Sequence, residues 1–360
     1  MLRIDQVTTR DMQLMQKKHR TNWDGNHHIN FRMLLMKPSI GISTIMNGLK
    51  TLCKQTSIKI GWRNNINILL FGSNGQLGQS FYRLFKKNNI NCTALSKKNC
   101  DVTNNKDLDR VLTSNNYDFI INASAYTNVS DAEINPDIAY EVNDIAIKNI
   151  ASLIDKDSSV FIHFSTDYVF DGKKNSSYTE EDSTNPINEY GKSKLNGEIN
   201  LKKSDINYFI FRTSWVYDNK GNNFPNKIVN LAKQGKSIEV IDDQFGIPNH
   251  VDFISLSTLI CLKKYCKYST NEKNRSHGIY NLSCNDQTTW FNFAKYILDG
   301  IYKKSDHQYV IKALKSDNFK SNVKRPQYSV MSNKKIAQQF DIEIPSWQYY
   351  ADKYIESFYE

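Results

Sequence analysis

The sequence lacks any apolar run long enough to cross a membrane. Its best candidate, Ile66–Phe71, is the size of a strand, whereas a spanning helix needs about 20 apolar residues. With 360 residues, of which 39% are hydrophobic and 23% charged, the composition is that of a globular chain with a large core or two domains. We therefore expect a soluble protein without a membrane partner.

Cysteine is scarce, and its spacing is irregular. None of the six cysteines belongs to a C-x-x-C pair, which argues against a disulfide framework and against a metal site built from thiolates. We expect a cytoplasmic protein that binds no metal and has reduced thiols at Cys53, Cys92, Cys100, Cys261, Cys266 and Cys284.

Acidic residues are rare in one part of the chain only. Residues 1–64 hold 11 Lys and Arg against three Asp and no Glu, whereas the rest of the chain holds 36 basic against 34 acidic residues. A nucleic-acid binder is expected to carry its positive charge on the folded body, so we expect no nucleic-acid partner. We predict a poorly ordered basic extension over 1–64; a targeting segment and a wrongly chosen start are the alternatives.

After residue 65, apolar strand-like runs alternate with amphipathic stretches, which indicates βαβ units and a mainly parallel sheet. The first predicted strand, Asn67–Phe71, leads into a G-x-x-G-x-x-G loop and then the amphipathic segment Gln79–Lys87. A strand, a tight glycine turn and a helix N-terminus present backbone N–H groups and a positive dipole end to a pyrophosphate. This predicts a dinucleotide site, rather than a plain turn, at Gly72, Gly75, Gln76, Leu77 and Gly78.

The next two predicted strands add cofactor residues. Asn91–Leu95 is followed by Ser96 and Lys97 where an acidic residue would bind the ribose of NAD, which favours NADPH over NADH; a solvated turn is the alternative. Asp101 and Val102 follow and are expected to border the adenine. The strand 118–122 runs into small residues that let a cofactor lie across its end, and the expected contacts are Ala123, Ser124, Ala125 and Tyr126.

Proton-transfer chemistry is indicated by a hydroxyl at the end of a strand and a Y-x-x-x-K pair. Thr166 closely follows the apolar run Val160–Ile162, at the strand end where open α/β sheets bind ligands. Tyr190 and Lys194 are four residues apart and share one helix face, so the ammonium should lower the pKa of the phenol. We predict that Thr166 donates a hydrogen bond, Tyr190 supplies the proton, and Lys194 tunes Tyr190 and holds the nicotinamide ribose.

These segments together resemble the extended short-chain dehydrogenase/reductases and, within them, the dTDP-4-dehydrorhamnose reductase family. The similarity covers nearly all of 66–360 and none of 1–64. It continues through Lys324-Arg325-Pro326, and its ordered stretches are 67–78 (NILLFGSNGQLG), 122–127 (NASAYT), 165–170 (STDYVF), 190–198 (YGKSKLNGE), 211–217 (FRTSWVY), 221–224 (GNNF) and 243–248 (DQFGIP).

The resemblance implies an α/β fold, a Rossmann-type doubly wound parallel sheet with a smaller C-terminal substrate-binding domain. We expect the dinucleotide-binding domain over 65–215, completed by a segment around 245–265, and mostly substrate-binding residues over 216–360. The implied reaction, in dTDP-rhamnose biosynthesis, reduces the C4 keto group of dTDP-4-dehydro-6-deoxy-L-mannose to dTDP-L-rhamnose. Hydride would come from NADPH or NADH, and Tyr190 would be the proton donor.

The resemblance also implies a substrate side. Thr166 and Asp167 are expected against the sugar, Trp215 at the border of the substrate, and Gln244 and Phe245 beside the nucleotide sugar. The Arg325 guanidinium could bind the diphosphate, or it could be a surface cation before a proline turn.

Three positions depart from the family pattern. Asn249 stands where a threonine is usual and Lys324 where an arginine is usual, so some substrate contacts are expected to differ. Some members form a dimer bridged by a metal through glutamates, one of them just after the glycine loop. Ser80 occupies that position here, which argues against a Mg²⁺-dependent dimer and leaves a monomer or homodimer open.

Two other functions stay open from the sequence. One is a related reductase of dTDP-4-keto-6-deoxysugars that gives the other stereochemistry at C4. The other is a catalytically silent, reductase-like regulatory subunit, which the joint presence of Thr166, Tyr190 and Lys194 disfavours.

Overall fold

The computed structural model describes residues 2–5, 66–303, 308–319 and 321–359. Within 1–64 it describes only a strand at Leu2–Asp5. The prediction that 1–64 is poorly ordered otherwise lies outside the described residues. Within the described ranges, no helix is long and apolar enough to cross a membrane.

The strands are short and are separated by helices along most of the chain. Six of them form the main sheet: β2 (Asn67–Phe71), β3 (Asn91–Leu95), β4 (Phe119–Asn122), β5 (Val160–Thr166), β6 (Asn207–Thr213) and β11 (Gly278–Asn281). The others are β1 (Leu2–Asp5), β7 (Val216–Tyr217), β8 (Ser237–Ile241), β9 (Phe245–Gly246), β10 (Asn249–His250), β12 (Thr288–Thr289) and β13 (Val310–Leu314).

The helices of the described residues include one π-helical turn, Glu141–Ile145, and two 3₁₀ turns, Asp167–Val169 and Ser316–Asn318. The first six α-helices are α1 (Gln76–Lys87), α2 (Asn105–Leu112), α3 (Val129–Ala132), α4 (Pro136–Tyr140), α5 (Ala146–Leu153) and α6 (Glu189–Lys203). They are followed by α7 (Phe224–Lys233), α8 (Val251–Tyr265), α9 (Thr270–Ser276), α10 (Trp290–Tyr302), α11 (Lys334–Phe340) and α12 (Trp347–Glu356).

The main sheet is parallel throughout and buried on both faces. Its strand order is β11-β6-β5-β4-β2-β3. Ile68 and Leu70 pack into one core with residues of α1 and α8, while Leu69 and Phe71 pack into another with residues of α2, α5 and α6. Because both faces of such a strand are covered by helices, it appears in the sequence as a continuous apolar run. The predicted doubly wound parallel sheet is confirmed.

The segment predicted around 245–265 to complete this domain supplies a helix. This helix, α8, packs against α1, and the sixth strand, β11, lies further along the chain. The sequence of β11, Gly-Ile-Tyr-Asn, begins with a glycine at φ +132° and is too short for a periodic signal. Its pairing with β6 therefore depends on the tertiary structure.

A smaller three-stranded sheet lies in the later part of the chain. Strand β8 pairs in parallel with β13 on one side and antiparallel with β1 on the other. Helices α7 and α10 pack against β8, and α10 also packs against α12.

The chain reverses its direction of travel across the main sheet next to β2. It moves from β2 outward to β3, and then returns to place β4 on the opposite side of β2. Open α/β sheets bind ligands in the crevice outside the carboxyl ends of the strands at such a switch point. The glycine loop after β2 and the small residues after β4 border this crevice.

Candidate active site

The glycine loop is built by close backbone packing. Gly72 has φ +75°, and a Cβ there would lie 2.6 Å from the backbone nitrogen of Ser124. A Cβ on Gly78 would lie 2.1 Å from the backbone oxygen of Gly72. A Cβ on Gly75, in contrast, would meet only that oxygen, at 3.4 Å. Two of the glycines thus permit the fold of the loop, and the third leaves an open surface beside the helix N-terminus.

The N-terminus of α1 has the properties of an anion site. Its N-cap, Gly75, provides no side-chain hydrogen bond, and its first turn contains no acidic residue. The N–H groups of that turn, which begins at Gln76, therefore have no side-chain acceptor from the cap, and they carry the positive end of the helix dipole. Leu77 packs its side chain against the apolar core, so only its backbone faces a ligand here.

Gln76 joins this loop to a second one. Its Oε1 accepts a hydrogen bond from Nδ2 of Asn223 at 2.8 Å, and the same nitrogen donates to the backbone oxygen of Asp218 at 2.8 Å. The loop 218–223 is therefore tied to the glycine loop by one side chain. Asn223 was not among the predicted site residues; its only signal in the sequence was its place in the stretch 221–224.

Residues that were predicted to surround the adenosine form a hydrogen bond and an ion pair within their own turn. The Ser96 hydroxyl donates to Oδ1 of Asn99 at 2.6 Å, and Nζ of the exposed Lys97 lies 3.4 Å from Oδ2 of Asp101. Val102 is buried in the core on one face of the sheet. The turn is ordered by its own contacts, and the preference for NADPH stays a prediction.

The residues after β4 face the glycine loop. Oδ1 of Asn122 accepts two hydrogen bonds from Ser124, one from its backbone nitrogen at 3.0 Å and one from its hydroxyl. Ala123 is half-buried and Ala125 is exposed. The Tyr126 hydroxyl is hydrogen-bonded to Asp131, and its backbone nitrogen donates to Asn143 at 2.9 Å. The small side chains leave room at the strand end, whereas the Tyr126 ring is held by its own partners.

The structure brings the three predicted catalytic side chains together. Thr166 ends β5, and α6 begins at Glu189, where its N-cap Asn188 accepts from the backbone nitrogen of Gly191 at 2.8 Å. Tyr190 and Lys194 are one turn apart on α6, and Thr166 is close enough to the Tyr190 phenol to lower its pKa.

Glycine allows this helix to sit close to the end of β5. A Cβ on Gly191 would lie 2.3 Å from the backbone oxygen of Tyr168. A larger residue would therefore push α6, together with Tyr190 and Lys194, away from Thr166.

The prediction that Lys194 lowers the pKa of Tyr190 is wrong for this structure. Burial raises the pKa of Tyr190 to about 12, and the Asp167 carboxylate raises it further, although Thr166 lowers it. The Lys194 ammonium points elsewhere: Nζ donates to the backbone oxygen of Phe164 at 2.6 Å and lies 3.3 Å from Nε2 of His163. Burial lowers the pKa of Lys194 to about 8, against the opposing charge of Glu198.

Asp167 is buried beside the catalytic hydroxyl. Its Oδ1 accepts from the Thr166 hydroxyl at 3.1 Å, whereas its Oδ2 is buried without a hydrogen-bond partner. Burial raises the pKa of Asp167 to about 7 despite this hydrogen bond. The Ser329 side chain lowers the pKa of Asp167, and the Ser329 backbone nitrogen donates to the backbone oxygen of Phe245 at 2.9 Å, so Asp167 lies close to the C-terminal segment.

Trp215 has an unusual backbone and a built aromatic environment. Its φ is +45°, a left-handed conformation that costs free energy for a bulky residue and is concentrated at functional sites. Its indole stacks on Trp290 with centroids 3.5 Å apart and planes 10° apart. A Cβ on Gly246 would lie 2.5 Å from the same indole. Trp290 was missed by the sequence analysis because nothing local connects it to Trp215.

The remaining substrate candidates differ in their surroundings. Phe245 is 38% exposed and packs near Tyr328, whereas Nε2 of Gln244 donates to Ser316 at 3.2 Å. Arg325 is partly buried, and its charge lowers the pKa of Tyr168, which burial raises. The charge effect on Tyr168 places Arg325 near the residues that follow Thr166, and Phe245 is hydrogen-bonded through its backbone to Ser329. The Gln244 amide is hydrogen-bonded to Ser316 instead.

The described residues contain no group of three or more His, Cys, Asp or Glu side chains that could hold a metal ion. Ser80, which follows the glycine loop, is buried between α1 and α8. Its hydroxyl donates to Asp252 at 2.6 Å and lies 2.8 Å from the Ser255 hydroxyl.

Known proteins match most of this chain. Residues 66–360 match the family model described as the RmlD substrate binding domain. Among curated relatives, dTDP-4-dehydrorhamnose reductase of Salmonella typhimurium is 33% identical over 288 residues, covering 79% of this chain and 95% of that protein.

Solved structures give the same result. A dTDP-4-dehydrorhamnose reductase from Clostridium acetobutylicum aligns with a TM-score of 0.74 and 29% identity, over 82% of this chain and 100% of that one. The reductase of Bacillus anthracis, solved in complex with NADP, aligns with a TM-score of 0.72 and 29% identity, over 82% and 99% of the two chains.

Proposed function

The chain belongs to the RmlD substrate binding domain family, and from this we propose that it is a dTDP-4-dehydrorhamnose reductase. The reaction is reduction of the C4 keto group of dTDP-4-dehydro-6-deoxy-L-mannose to dTDP-L-rhamnose with NADPH or NADH. The observation that carries the proposal is the convergence of Thr166, Tyr190 and Lys194 at the carboxyl end of β5, two strands from the strand that leads into the glycine loop.

The glycine loop fits the pyrophosphate of a dinucleotide. The open surface at Gly75 and the uncapped N-terminus of α1 match an anion in shape and charge. Backbone N–H groups of Gln76, Leu77 and Gly78 would hold the phosphates, and residues 123–125 would border the nicotinamide half. When bound there, the reduced nicotinamide supplies the hydride.

The residues of this chain supply the proton and orient the carbonyl. The Thr166 O–H, which donates to Asp167 in this structure, would turn to donate to the substrate oxygen, and the neighbouring Tyr190 phenol would deliver the proton that the new alkoxide requires. With its pKa raised to about 12, Tyr190 holds its proton at neutral pH, which suits an acid in the reducing direction. The Lys194 ammonium would hold the nicotinamide ribose.

The substrate would lie between β5 and the later segments. Asp167 would face the sugar, and Trp215 would give it a flat apolar wall. Phe245 and Gln244 would lie on the nucleotide side. The Arg325 guanidinium would bind the diphosphate.

The test is NADPH oxidation by the full chain with dTDP-4-dehydro-6-deoxy-L-mannose as substrate, repeated with NADH and with Tyr190→Phe. We expect dTDP-L-rhamnose as the product and a loss of at least about a hundredfold in kcat for Tyr190→Phe, the usual contribution of a general acid. A different C4 epimer would identify the related reductase. NADPH binding without turnover of any dTDP-4-keto-6-deoxysugar would favour a silent binding subunit.

The proposal includes a small-molecule partner and no nucleic acid. The described body is nearly neutral in charge, which supports this choice. We also propose a cytoplasmic monomer or homodimer without Mg²⁺; Ser80, with its partners on α8, supports the absence of a metal-bridged dimer of the glutamate type.

A further inference from the structure

One buried side chain next to the catalytic group has no role in the proposed reaction. His163 lies within β5, three residues before Thr166, and is fully buried. Its ring stands between Asn122 at the end of β4 and Lys194 on α6, both 1% exposed. A histidine in the middle of an apolar strand was the only sign of it in the sequence.

The neighbours of the ring limit its protonation. Asn122 has a defined orientation, because its Oδ1 accepts two hydrogen bonds from Ser124. Its Nδ2 therefore faces Nδ1 of His163, at 3.5 Å, while Nζ of Lys194 faces Nε2 at 3.3 Å. Both neighbours are hydrogen-bond donors when Lys194 is charged. A neutral imidazole has only one nitrogen with a free lone pair, so it can accept from only one of them.

The ammonium should take that lone pair. It is the nearer donor and the charged one, and charge-assisted hydrogen bonds are about twice as strong as neutral ones. Lys194 then has two of its three N–H bonds committed, one to His163 and one to the backbone oxygen of Phe164 at 2.6 Å. Two fixed acceptors orient a tetrahedral ammonium, and the third N–H is left for a ligand.

We propose that His163 is a positioning residue for Lys194: its Nε2 lone pair holds the ammonium so that the remaining N–H points into the catalytic site. The catalytic meaning of this contact rests on the proposed function. The contact between Lys194 and His163 does not depend on that function.

The contact predicts a tautomer change when Lys194 loses its proton. With the ammonium present, the ring carries its hydrogen on Nδ1. With the neutral amine, the ring can accept from Asn122 at Nδ1 and donate from Nε2 to Lys194. Burial and the charge of Lys194 hold the pKa of His163 well below its ordinary value, so the ring changes tautomer without becoming charged.

Other ionisable groups near Lys194 are few. Glu198, one turn along α6, favours the ammonium by its charge and is itself paired with Arg212 of β6. Tyr190 lies one turn before Lys194 on α6, and its raised pKa keeps it neutral near pH 8. Lys194 is therefore the group expected to titrate near pH 8 in this cluster.

The experiment measures Lys194 and His163 directly in the full chain, without cofactor or substrate. The ¹³Cε shift of labelled lysine gives the Lys194 pKa, with the signal identified by its loss in Lys194→Arg. The ¹⁵N shifts of the His163 ring give the tautomer, with assignment by loss in the variants. Two variants form a matched pair: His163→Gln keeps a polar atom near the Nε2 position, whereas His163→Asn keeps one near Nδ1 only.

We expect the His163 ring to change from the Nδ1–H to the Nε2–H tautomer as Lys194 titrates near pH 8. We expect the Lys194 pKa to fall by about one unit in His163→Asn, because the buried ammonium loses an acceptor, and to stay near the wild-type value in His163→Gln. Equal Lys194 pKa values in all three proteins, or a ring that keeps one tautomer throughout, would overturn the proposal. The tautomer is measured in the unmodified protein, so it decides the question as long as one of the two His163 variants folds and assigns the ring signals.

Activity separates this inference from the proposed function. If the protein is the proposed reductase, the alkaline limb of kcat/KM follows the Lys194 pKa and moves to lower pH in His163→Asn. A coupled titration of Lys194 and His163 in a protein that reduces no dTDP-4-keto-6-deoxysugar would overturn only the reductase function.

Discussion

The buried ion pair behind the catalytic helix offers a sharp test of the structure. Glu198 on α6 and Arg212 on β6 are 0% and 1% exposed. Their two hydrogen bonds measure 2.9 Å, from Nε to Oε1, and 2.6 Å, from Nη2 to Oε2. The guanidinium also lies over the ring of Phe170, 5.1 Å from its centroid. The arginine charge is therefore paired with one fully buried carboxylate, and the Glu180 carboxylate is near enough for Arg212 to lower its pKa.

We expect Glu198→Gln to lower the free energy of unfolding by about 3–5 kcal/mol, the usual cost of leaving one partner of a buried pair uncompensated. Domains are stable by only about 5–15 kcal/mol, so this loss is about a fifth or more of the total. Urea unfolding followed by tryptophan fluorescence measures it as a lower midpoint at an unchanged slope. The double variant Glu198→Gln/Arg212→Met should recover most of the loss, because it removes both charges.

The control is the exposed pair Lys156–Asp205, whose Nζ and Oδ2 are 2.7 Å apart. Asp205→Asn should leave the unfolding midpoint unchanged, because solvent screens exposed pairs. If Glu198→Gln is as stable as Asp205→Asn, then Glu198 and Arg212 do not depend on each other for stability, which would refute this account of the buried pair.

Three further predictions concern the site. Gly78→Ala should abolish folding, since its Cβ would lie 2.1 Å from a backbone oxygen. Gly75→Ala, whose Cβ meets only one atom at 3.4 Å, should keep the unfolding temperature of the wild type and weaken NADPH binding about tenfold, as measured by fluorescence titration. Gly246→Ala should displace the Trp215 indole and raise KM for the sugar nucleotide in steady-state assays, with NADPH affinity unchanged. Burial raises the pKa of Asp167 from 3.8 to about 7, so the folded state binds this proton more tightly than the unfolded state does. The resulting contribution to the free energy of unfolding is complete below about pH 4 and is lost as the pH rises through about 7. Asp167→Asn should therefore flatten that part of a curve of stability against pH.

The sequence by itself determined the features that depend on local order. The strand β2 was predictable at its observed bounds, because a strand covered on both faces is a continuous apolar run. The glycine loop was predictable because a tight turn between a strand and a helix needs residues without side chains. Tyr190 and Lys194 were predictable as a pair because a spacing of four places two side chains on one face of any helix.

Only the tertiary structure decided what each of these groups faces. The pair spacing suggested that Lys194 lowers the pKa of Tyr190, but the fold directs the ammonium to His163 and Phe164 and buries the phenol, so its pKa rises. The stack of Trp215 on Trp290 likewise joins residues far apart in the chain. Burial and long-range contact set charge and orientation, and neither is encoded in the spacing of neighbouring residues.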